Sequence, residues 1–298
     1  MSKEFKTVAL VGLISDTRVS EPMAALCSHL TDAGIDVIAA PEIAQHLPAR
    51  AVNENELAQN NDLIIAVGGD GTMLHAASLT GGGNVPLLGV NRGRLGFLSD
   101  VSPTEMLESL DDIIGGNFTS DSRLQLKAQL TRADGTALTA VALNDIVLQR
   151  RDTGRMLDFE TRIAGRYVNT HMGDGLIAAT PTGSTAYTLS CGGPIMEPQL
   201  DAIVVVPICP HTLSDRPIVL SADQDIEVSL LPREDINAEV SVDGRSLGEF
   251  GTEDSLLISR AESRITLIHP PGYDFYEILR SKLHWGRDGR IGYSKEAP

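Results

Sequence analysis

The first 120 residues alternate between short apolar runs and amphipathic stretches, and this alternation limits the folds open to the chain more than any other feature. The apolar runs are Thr7–Ile14, Ile35–Ala39, Leu63–Val67 and Pro86–Val90. Each is apolar nearly throughout, as is typical of strands covered on both faces. Strand–helix alternation predicts a parallel sheet with crossover helices, so we expect an α/β N-terminal domain over residues 1–120.

Three helical stretches are predicted, two within the first 120 residues and one near the C-terminus. Glu21–Ala33 is predicted to be a helix that stops at Gly34, a natural residue for the position after a helix. Another helix is predicted to open at Ser102–Glu105, where serine can cap, proline suits the first turn and glutamate can reach back. The last helical pattern, Asp274–Trp285, is expected to pack back on the first domain, which residues 273–298 would complete.

After about residue 120 the pattern changes to alternating strands such as Leu124–Leu130 and Leu138–Leu143. Two-residue turn signals punctuate this half of the chain. They are Asp134-Gly135, Ala164-Gly165 and Asp243-Gly244. We therefore predict a mainly antiparallel β domain over residues 121–272, which agrees with a 298-residue chain being too long for one small core.

The charge balance restricts the partners. Forty acidic residues against twenty-four basic ones give a net charge of −16, which disfavours sequence-independent nucleic-acid binding. An aromatic content of 4% also argues against stacking platforms for single-stranded nucleic acid. A phosphorylated small ligand remains compatible with this charge if a local positive site offsets it.

Cysteine content and hydropathy point to a cytoplasmic protein. The three cysteines, Cys27, Cys191 and Cys209, are too few and too scattered for a disulfide framework or a zinc site. No apolar run approaches the roughly 18 residues of a membrane span, and Thr7–Ile14 is better explained as a buried strand than as a signal peptide. We expect a soluble protein of a reducing compartment, with neither membrane nor nucleic acid as a partner.

The sequence Gly68-Gly69-Asp70-Gly71-Thr72 follows the buried run Leu63–Val67 and precedes a helical stretch. Glycines let backbone N–H groups approach a phosphate closely, and a helix N-terminus favours an anion. A carboxylate at this place suits a proton acceptor for an attacking hydroxyl, or a magnesium ligand that bridges to phosphate. A strand–helix turn with an aspartate cap is the plain alternative, and neither the P-loop nor the dinucleotide pattern is matched.

A second cluster, Gly173-Asp174-Gly175, leads into Ala179–Tyr187, which reads Ala-Thr-Pro-Thr-Gly-Ser-Thr-Ala-Tyr. Its short hydroxyl side chains suit polar contacts to a ribose or phosphate, and the tyrosine ring suits stacking on a base. Alone, a hydroxyl-rich turn would be the commoner explanation.

Together these two clusters resemble the NAD kinase family, especially its bacterial members. Further pieces in the same order agree with that resemblance. They are Asn91–Leu98, Asn144-Asp145, Pro210–Val219, Ile268–Pro270 and Lys282–Trp285. The resemblance covers nearly the whole chain and implies an α/β domain followed by a β-rich, NAD-binding domain. It also implies transfer of the γ-phosphoryl group of ATP, or of polyphosphate, to the adenosine 2′-hydroxyl of NAD.

The resemblance also implies roles for particular residues. Asp70 would accept the proton of the 2′-hydroxyl, Gly71 and Thr72 would line the phosphate site, and Asn144 and Asp145 would hold the adenosine part of NAD. The remaining dinucleotide-site residues would be Arg155, Asp174, Thr185, Ala186, Tyr187, Thr188, Leu189, Ser190 and Arg245. A homodimer or homotetramer is implied as well.

No dense carboxylate cage is visible in the sequence, so we predict no permanent metal site. Two phosphate-rich substrates on an acidic chain nevertheless need a divalent cation, and we expect Mg²⁺ or Mn²⁺ to arrive with the nucleotide.

The sequence departs from the family pattern at three places. Met172 stands where many relatives carry a lysine or arginine, Arg245 follows Asp243-Gly244 where glutamine is common, and Gln149–Arg151 replaces His-Pro-Gly. Arg245 is expected either to supply the positive charge that Met172 lacks or to be a solvated residue of a hairpin.

Two other functions compete with an NAD kinase. A lipid or sugar kinase of the same superfamily would share the Gly68–Thr72 motif but lack the segment up to Tyr187, which is present. A non-catalytic dinucleotide-binding regulator would tolerate loss of Asp70, which is intact.

Overall fold

The computed structural model describes residues 5–59, 61–80, 83–151, 155–232 and 237–284. The chain divides into two compact units. The first falls within Met1–Leu79, Val85–Ser120 and Ile268–Pro298, and the second within Thr80–Asn84 and Asp121–Leu267. The sequence analysis sets these boundaries at residues 120 and 273.

The first unit contains the predicted parallel sheet. Its strands are β1 (Thr7–Gly12), β2 (Asp36–Ala39), β3 (Arg50–Ala51), β4 (Leu63–Val67) and β5 (Leu87–Val90). Their order is β5-β4-β1-β2-β3, and every neighbouring pair is parallel. All five residues of β4 are buried, as expected for an apolar strand with both faces covered. The parallel sheet predicted from the alternation is therefore confirmed.

The first unit also contains helices whose starts differ from the prediction. They are α1 (Thr17–Asp32), α2 (Pro41–Ala44), α3 (Glu54–Gln59), α4 (Asp70–Leu79) and α5 (Met106–Ile114). The predicted start of α1 at Glu21 is wrong, because the Asp16 side chain accepts from the Arg18 N–H and caps the helix earlier. The predicted opening of α5 at Ser102 is also wrong, because Ser102 bonds the Thr104 backbone and side chain in a turn that precedes the helix.

The second unit is built from antiparallel strands and one short helix. The strands are β6 (Thr119–Thr131), β7 (Ala137–Ala142), β8 (Asp145–Arg150), β9 (Leu157–Ile163), β10 (Arg166–Gly173), β11 (Gly175–Ala179), β12 (Ala202–Ile208), β13 (Ile218–Ser221), β14 (Ile226–Leu230), β15 (Ala238–Val242), β16 (Arg245–Phe250) and β17 (Ser255–His269). The helix α6 (Tyr187–Ser190) follows a 3₁₀ turn, Thr182–Thr185. The first two residues of β6 and the last two residues of β17 belong to the first unit.

These strands form two groups. One runs β10-β9-β14-β17, with β6 pairing β17 and β7, and the other runs β13-β12-β11-β8-β15-β16. Their inward side chains form one apolar cluster that includes Leu126, Phe159 and Phe250. The hairpins at Ala164-Gly165 and Asp243-Gly244 have positive φ at both turn residues, which is the two-residue turn that the sequence predicts. The antiparallel β domain is confirmed.

The chain ends its described part in helix α7 (Phe275–Leu283), which belongs to the first unit, as predicted. Asp274 caps it by accepting from the Tyr276 N–H, and Ile278 and Leu279 are buried. Trp285, at the end of the predicted helix, lies outside the described residues. Among the described helices, none has both the length and the apolar character to cross a membrane.

Candidate active site

Asp70 is the first residue of α4, directly after the glycines that follow β4. Its carboxylate accepts hydrogen bonds from the backbone of the segment Asn91–Asp100. Oδ2 accepts from the Phe97 N–H at 3.1 Å, and Oδ1 accepts from the Leu98 N–H at 3.0 Å and the Ser99 hydroxyl at 3.4 Å. Since an ionised carboxylate offers about four acceptor positions, one stays available for an incoming hydroxyl.

Gly96 sets how closely this segment approaches Asp70. A Cβ atom on Gly96 would lie 2.2 Å from Asp70 Oδ1 and 2.3 Å from Ser99 Oγ. Only a residue without a side chain allows both contacts. The orientation of the carboxylate therefore depends on glycine at this position.

A pocket of about 530 Å³ opens beside Asp70. Among the residues that the structure describes, four cationic side chains line it, and Asp70 is the only acidic one. The cations are Arg18, Arg92, Arg94 and Lys282. This excess of positive charge makes the pocket suited to phosphate groups, and it is the local positive site that an acidic protein needs for such a ligand.

Two of these cations are held by Asp16, the capping residue of α1. The Asp16 carboxylate accepts from Arg18 Nε and Nη2 at 3.1 and 2.9 Å, and from Arg92 Nη1 at 3.0 Å. The hydrogen bond from Arg18 is the main reason that the pKa of Asp16 falls to about 2. Asp16 therefore stays ionised at neutral pH and orients both guanidinium groups at the pocket.

A second pocket, of about 350 Å³, lies on the other side of the same glycine loop. Gly71 and Thr72 line it, whereas Gly69 and Asp70 line the cationic pocket. Its walls come from the ends of β1 and β2 and from α2, α3 and α4, and most of them are apolar, although Glu42 and Glu54 also line it. They include Leu13, Ala40, Ile43, Leu57, His75 and Leu79. A flat apolar group such as a purine ring suits this lining.

In the second unit, the structure brings the predicted residues Asn144 and Asp145 together with the segment Thr180–Tyr187. The Thr180 N–H donates to the Asn144 carbonyl at 2.9 Å. A Cβ atom on Gly183 would lie 2.2 Å from that same carbonyl oxygen, so glycine permits this contact. The two motifs, far apart in sequence, form one loop cluster.

Most hydroxyl groups of this segment stabilise the segment itself. Thr180 Oγ1 donates to the Leu143 carbonyl at 2.5 Å, Ser184 Oγ to the Pro181 carbonyl at 2.6 Å, and Thr185 Oγ1 to the Thr182 carbonyl at 3.2 Å. The tight turn therefore uses these three hydroxyl groups as donors, and their contact with a ribose or phosphate stays a prediction.

The hydroxyl of Thr182 accepts from Arg123 at 3.2 Å, and the buried Arg123 also bonds Asp121 at 2.6 Å. The sequence analysis missed this buried ion pair.

Polar groups without a partner remain in this cluster. Among the described residues, the buried Asn144 Oδ1 and Thr188 Oγ1 atoms have no hydrogen-bond partner. A buried polar atom left unpaired is costly, so both atoms are natural contact points for a ligand. Tyr187 precedes Thr188 on α6 and is 41% exposed, so its ring offers a surface for stacking. Ala186 precedes that helix, and Leu189 and Ser190 complete it.

Asp145 is buried next to Asp243, the first residue of the β15–β16 turn. The Asp243 carboxylate accepts from the N–H groups of Leu143, Asn144 and Asp145 at 2.8, 2.8 and 3.1 Å. Burial, and then the Asp243 charge, raise the pKa of Asp145 to about 7. Burial also raises the pKa of Asp243, although the three N–H bonds oppose that shift. Asp145 can therefore donate or accept a hydrogen bond near neutral pH.

The other predicted site residues also lie in the second unit, where the Asp174 charge helps to raise the pKa of Tyr187 after the larger effect of burial, and the Arg245 charge acts to lower the pKa of Asp243. Asp174 lies between β10 and β11 and forms an ion pair with Arg150 at 2.7 Å. Arg155 is exposed before β9, and Arg245 is exposed at the start of β16. Met172 lies on β10. Asp174 is two residues after Met172, so Arg150 supplies a cation to this segment.

No cluster of metal-binding side chains is found in the part of the chain that the structure describes. Within the described ranges Asp70 is the only carboxylate that lines the cationic pocket, so any divalent cation there would be held largely by phosphate oxygens.

The sequence analysis missed Arg18 altogether and gave no role to Arg92, Arg94 or Lys282. Three of these cations stand within Asn91–Leu98 and Lys282–Trp285, which the resemblance quotes. A pair of arginines in a glycine-rich run is the signal that could have indicated a phosphate site. Arg18 gives no such signal, because its approach depends on how α1 packs.

A parallel α/β unit with a carboxylate at a glycine-rich helix start, facing a cationic pocket, defines a phosphate-handling enzyme. Comparison with known proteins specifies it further. The family model of the ATP-NAD kinase N-terminal domain matches residues 8–118, and the model of the ATP-NAD kinase C-terminal domain matches residues 143–270. The chain belongs to the NAD kinase family.

Individual relatives agree over nearly the full length. The NAD kinase of Nitrosococcus oceani is 42% identical over 290 residues, which cover 96% of this chain and 99% of the relative. The NAD kinase of Thiobacillus denitrificans is 41% identical over 292 residues, with 96% and 99% covered.

Solved structures show the same fold. Yeast NADH kinase in complex with NADH superposes with a TM-score of 0.91 at 26% identity, covering 98% of this chain and 91% of that one. An NAD kinase from Archaeoglobus fulgidus in complex with ATP gives a TM-score of 0.72 at 25% identity, covering 93% and 97%.

Proposed function

We propose that this protein is an NAD kinase that transfers the γ-phosphoryl group of ATP to the adenosine 2′-hydroxyl of NAD, giving NADP. The observation that carries the proposal is the Asp70 carboxylate, held by two N–H groups beside a pocket lined by four cations. Phosphoryl transfer needs little covalent chemistry from the protein, and positioning with charge neutralisation supplies most of the catalysis.

Asp70 accepts the proton of the 2′-hydroxyl as the 2′-oxygen attacks the γ-phosphorus. The bond between this phosphorus and the oxygen bridging to the β-phosphate breaks, and its electron pair stays with ADP. The fixed N–H groups of Phe97 and Leu98 keep the carboxylate oriented before attack. Asn144 and Asp145 hold the adenosine part of NAD, and the exposed Tyr187 ring stacks on the dinucleotide.

The apolar pocket beside Gly71 and Thr72 supports a nucleotide as the donor. Polyphosphate has no apolar part that would use this lining, whereas a purine ring does. ATP is therefore the donor that this pair of neighbouring pockets suits better.

Magnesium or manganese enters with ATP and, when bound, neutralises charge on the phosphates. Asp70 is the protein group of this pocket that would contact it.

We also propose that the chain acts as a cytoplasmic homodimer or homotetramer. The three cysteines are free, which supports a reducing compartment, and family membership supports the assembly. Light scattering of the purified protein tests the assembly, and a monomer at micromolar concentration would contradict it.

The decisive experiment is an assay of NADP formation from NAD with ATP, polyphosphate or no donor. We expect product with ATP, and Asp70→Asn should abolish most of it. Asp134→Asn is the matched control, because Asp134 lies in the exposed hairpin turn between β6 and β7. Absence of NADP with every donor would remove the proposal and favour a related lipid or sugar kinase or a dinucleotide-binding regulator.

A further inference from the structure

The four cations of the pocket beside Asp70 differ in their partners. Arg18 and Arg92 share the Asp16 carboxylate, which offsets part of their charge. Arg94 and Lys282 have no acidic partner among the residues that the structure describes. Unpaired cations keep their full charge for a ligand, so these two dominate the field in the pocket.

Lys282 is placed by the same segment that holds Asp70. Its ammonium nitrogen lies 5.9 Å from the centre of the Phe97 ring, within the range of a cation–π contact. The backbone N–H of Phe97 donates to Asp70 Oδ2. One residue thus orients the carboxylate through its backbone and the ammonium group through its ring.

Helix α7 fixes the backbone of Lys282. Asp274 caps the helix, and Ile278 and Leu279, one turn before Lys282, are buried. Helix periodicity therefore determines the direction in which Lys282 leaves α7. The side chain itself is exposed and lines the pocket, so a ligand can reach its ammonium group.

We propose that Lys282 is a catalytic residue of the phosphoryl transfer, and this proposal rests on the proposed NAD kinase function. Its ammonium group contacts the non-bridging oxygens of the transferring phosphoryl group and neutralises the charge that develops as the bond to ADP breaks. Lys282 keeps its proton throughout, the proton of the 2′-hydroxyl goes to Asp70, and the electron pair of the broken bond goes to ADP. A lysine suits this task because it is a compact point charge with rotatable donors.

The competing explanation is that Lys282 only covers the Phe97 ring with its aliphatic stem. Lys282→Met separates the two, because methionine retains an apolar stem and removes the charge. Lys282→Arg keeps the charge and changes its geometry. Arg280→Gln is the matched control on the same helix, since Arg280 is exposed and pairs with Asp274 at 3.5 Å.

The test is steady-state kinetics of NADP formation, with ATP affinity measured separately by calorimetry without NAD. We expect Lys282→Met to lower kcat by about 100-fold or more, as for loss of one transition-state donor, with a much smaller change in ATP affinity. Lys282→Arg should retain at least about a tenth of kcat, and Arg280→Gln should stay within about twofold. Melting temperatures should be alike for all four proteins.

Three results would overturn the assignment. They are a Lys282→Met variant with kcat within about threefold of the unaltered protein, a loss confined to ATP affinity, or an equal loss in Arg280→Gln. If the unaltered protein itself makes no NADP, the proposed function fails, and this outcome is distinct from all three.

Discussion

Both carboxylate oxygens of Asp70 accept hydrogen bonds from backbone N–H groups. A substitution of Asp70 therefore changes hydrogen bonding as well as charge. In Asp70→Asn one oxygen becomes an amide that donates, so one of the two N–H bonds is lost together with the proton acceptor. We expect kcat to fall by about 100-fold or more, the range for loss of a general base, while the KM for NAD changes several-fold at most.

Ser99→Ala is the control for the Asp70 variant, because it removes only the 3.4 Å contact to the same carboxylate. We expect it to cost less than about tenfold in kcat, since this contact is at the limit of a hydrogen bond. Near-normal turnover of Asp70→Asn would show that Asp70 serves the loop and not the chemistry.

Asp145 should make stability depend on pH. Its pKa rises from the usual 3.8 to about 7 because the group is buried. Between about pH 4 and pH 7 the folded protein therefore binds more protons here than the unfolded chain, and the free energy of unfolding falls as pH rises. The Asp145→Asn variant lacks this decline. Its free energy of unfolding, relative to that of the unaltered protein, should therefore be higher at pH 8 than at pH 5.

Urea unfolding at both pH values checks the Asp145 prediction. Asp134→Asn is the control: the Thr136 hydroxyl lowers the pKa of Asp134, which is therefore ionised in both states across this range. An Asp145→Asn variant with an unchanged pH profile would place the titration elsewhere.

Arg150 is a second candidate, besides Arg245, for the positive charge that Met172 lacks. Its 2.7 Å ion pair orients Asp174, a predicted contact of the dinucleotide. We expect Arg150→Gln to raise the KM for NAD by about threefold to thirtyfold, in the range of a partly exposed charge-assisted contact.

Arg151→Gln is the neighbouring control for Arg150, because Arg151 pairs with Glu249 instead. Arg245→Gln, alone and with Met172→Lys, tests the other assignment in the same kinetics. If Arg245→Gln raises the KM and the added lysine restores it, the compensation belongs to Arg245 and not to Arg150.

At the scale of elements, the segment Asn91–Asp100 connects β5 to the Asp70 carboxylate. Besides its N–H bonds to Asp70, it is anchored at its end by the Asp100 carboxylate, 2.7 Å from the buried His269 ring. His269 in turn stacks on Tyr273, with 3.6 Å between ring centres. The segment is therefore fixed at both ends, and a small change within it should reach Asp70.

Gly96→Ala tests this connection. The added methyl group would meet Asp70 Oδ1 at 2.2 Å, so either the carboxylate or the segment must move. We expect kcat to fall by about tenfold to 100-fold, because a misplacement of about 1 Å near reacting groups has effects of this size. Gly251→Ala is the control, since its Cβ would meet only Asp254 at an ordinary 3.5 Å. Equal kinetics for both variants would contradict the connection.

The sequence predicts helices and strands better than it predicts which side chains of distant segments come together. Leu63–Val67 is a strand with the predicted bounds, because a short apolar run between Asp62 and Gly68 suits a buried strand. The start of α5 is not predicted, since Ser102 bonds a turn in preference to the helix. The convergence of Arg18, Arg92, Arg94 and Lys282 is equally invisible, because it depends on packing between segments far apart in sequence.

At the scale of the whole molecule, a net charge of −16 surrounds a pocket with four cations. ATP brings further negative charge, so activity should vanish with a chelator and return with Mg²⁺ or Mn²⁺. Since the described residues hold no metal-binding cluster, the purified protein should retain less than about one-tenth of an equivalent of metal by elemental analysis. Stoichiometric metal after dialysis would contradict this expectation.

The insertion of the second unit into the first has a consequence for the order of synthesis. A ribosome makes β1–β5 and Asp70 early, yet Lys282 and the rest of the returning segment emerge only after the whole second unit has been translated. At roughly 5–20 residues per second, this delay is on the order of ten seconds. By the end of that interval the second unit has all of its strands and can fold, whereas the phosphate pocket still lacks the wall that contains Lys282. The nascent chain thus contains the loops at Asn144–Asp145 and Thr180–Tyr187 before its phosphate pocket is complete.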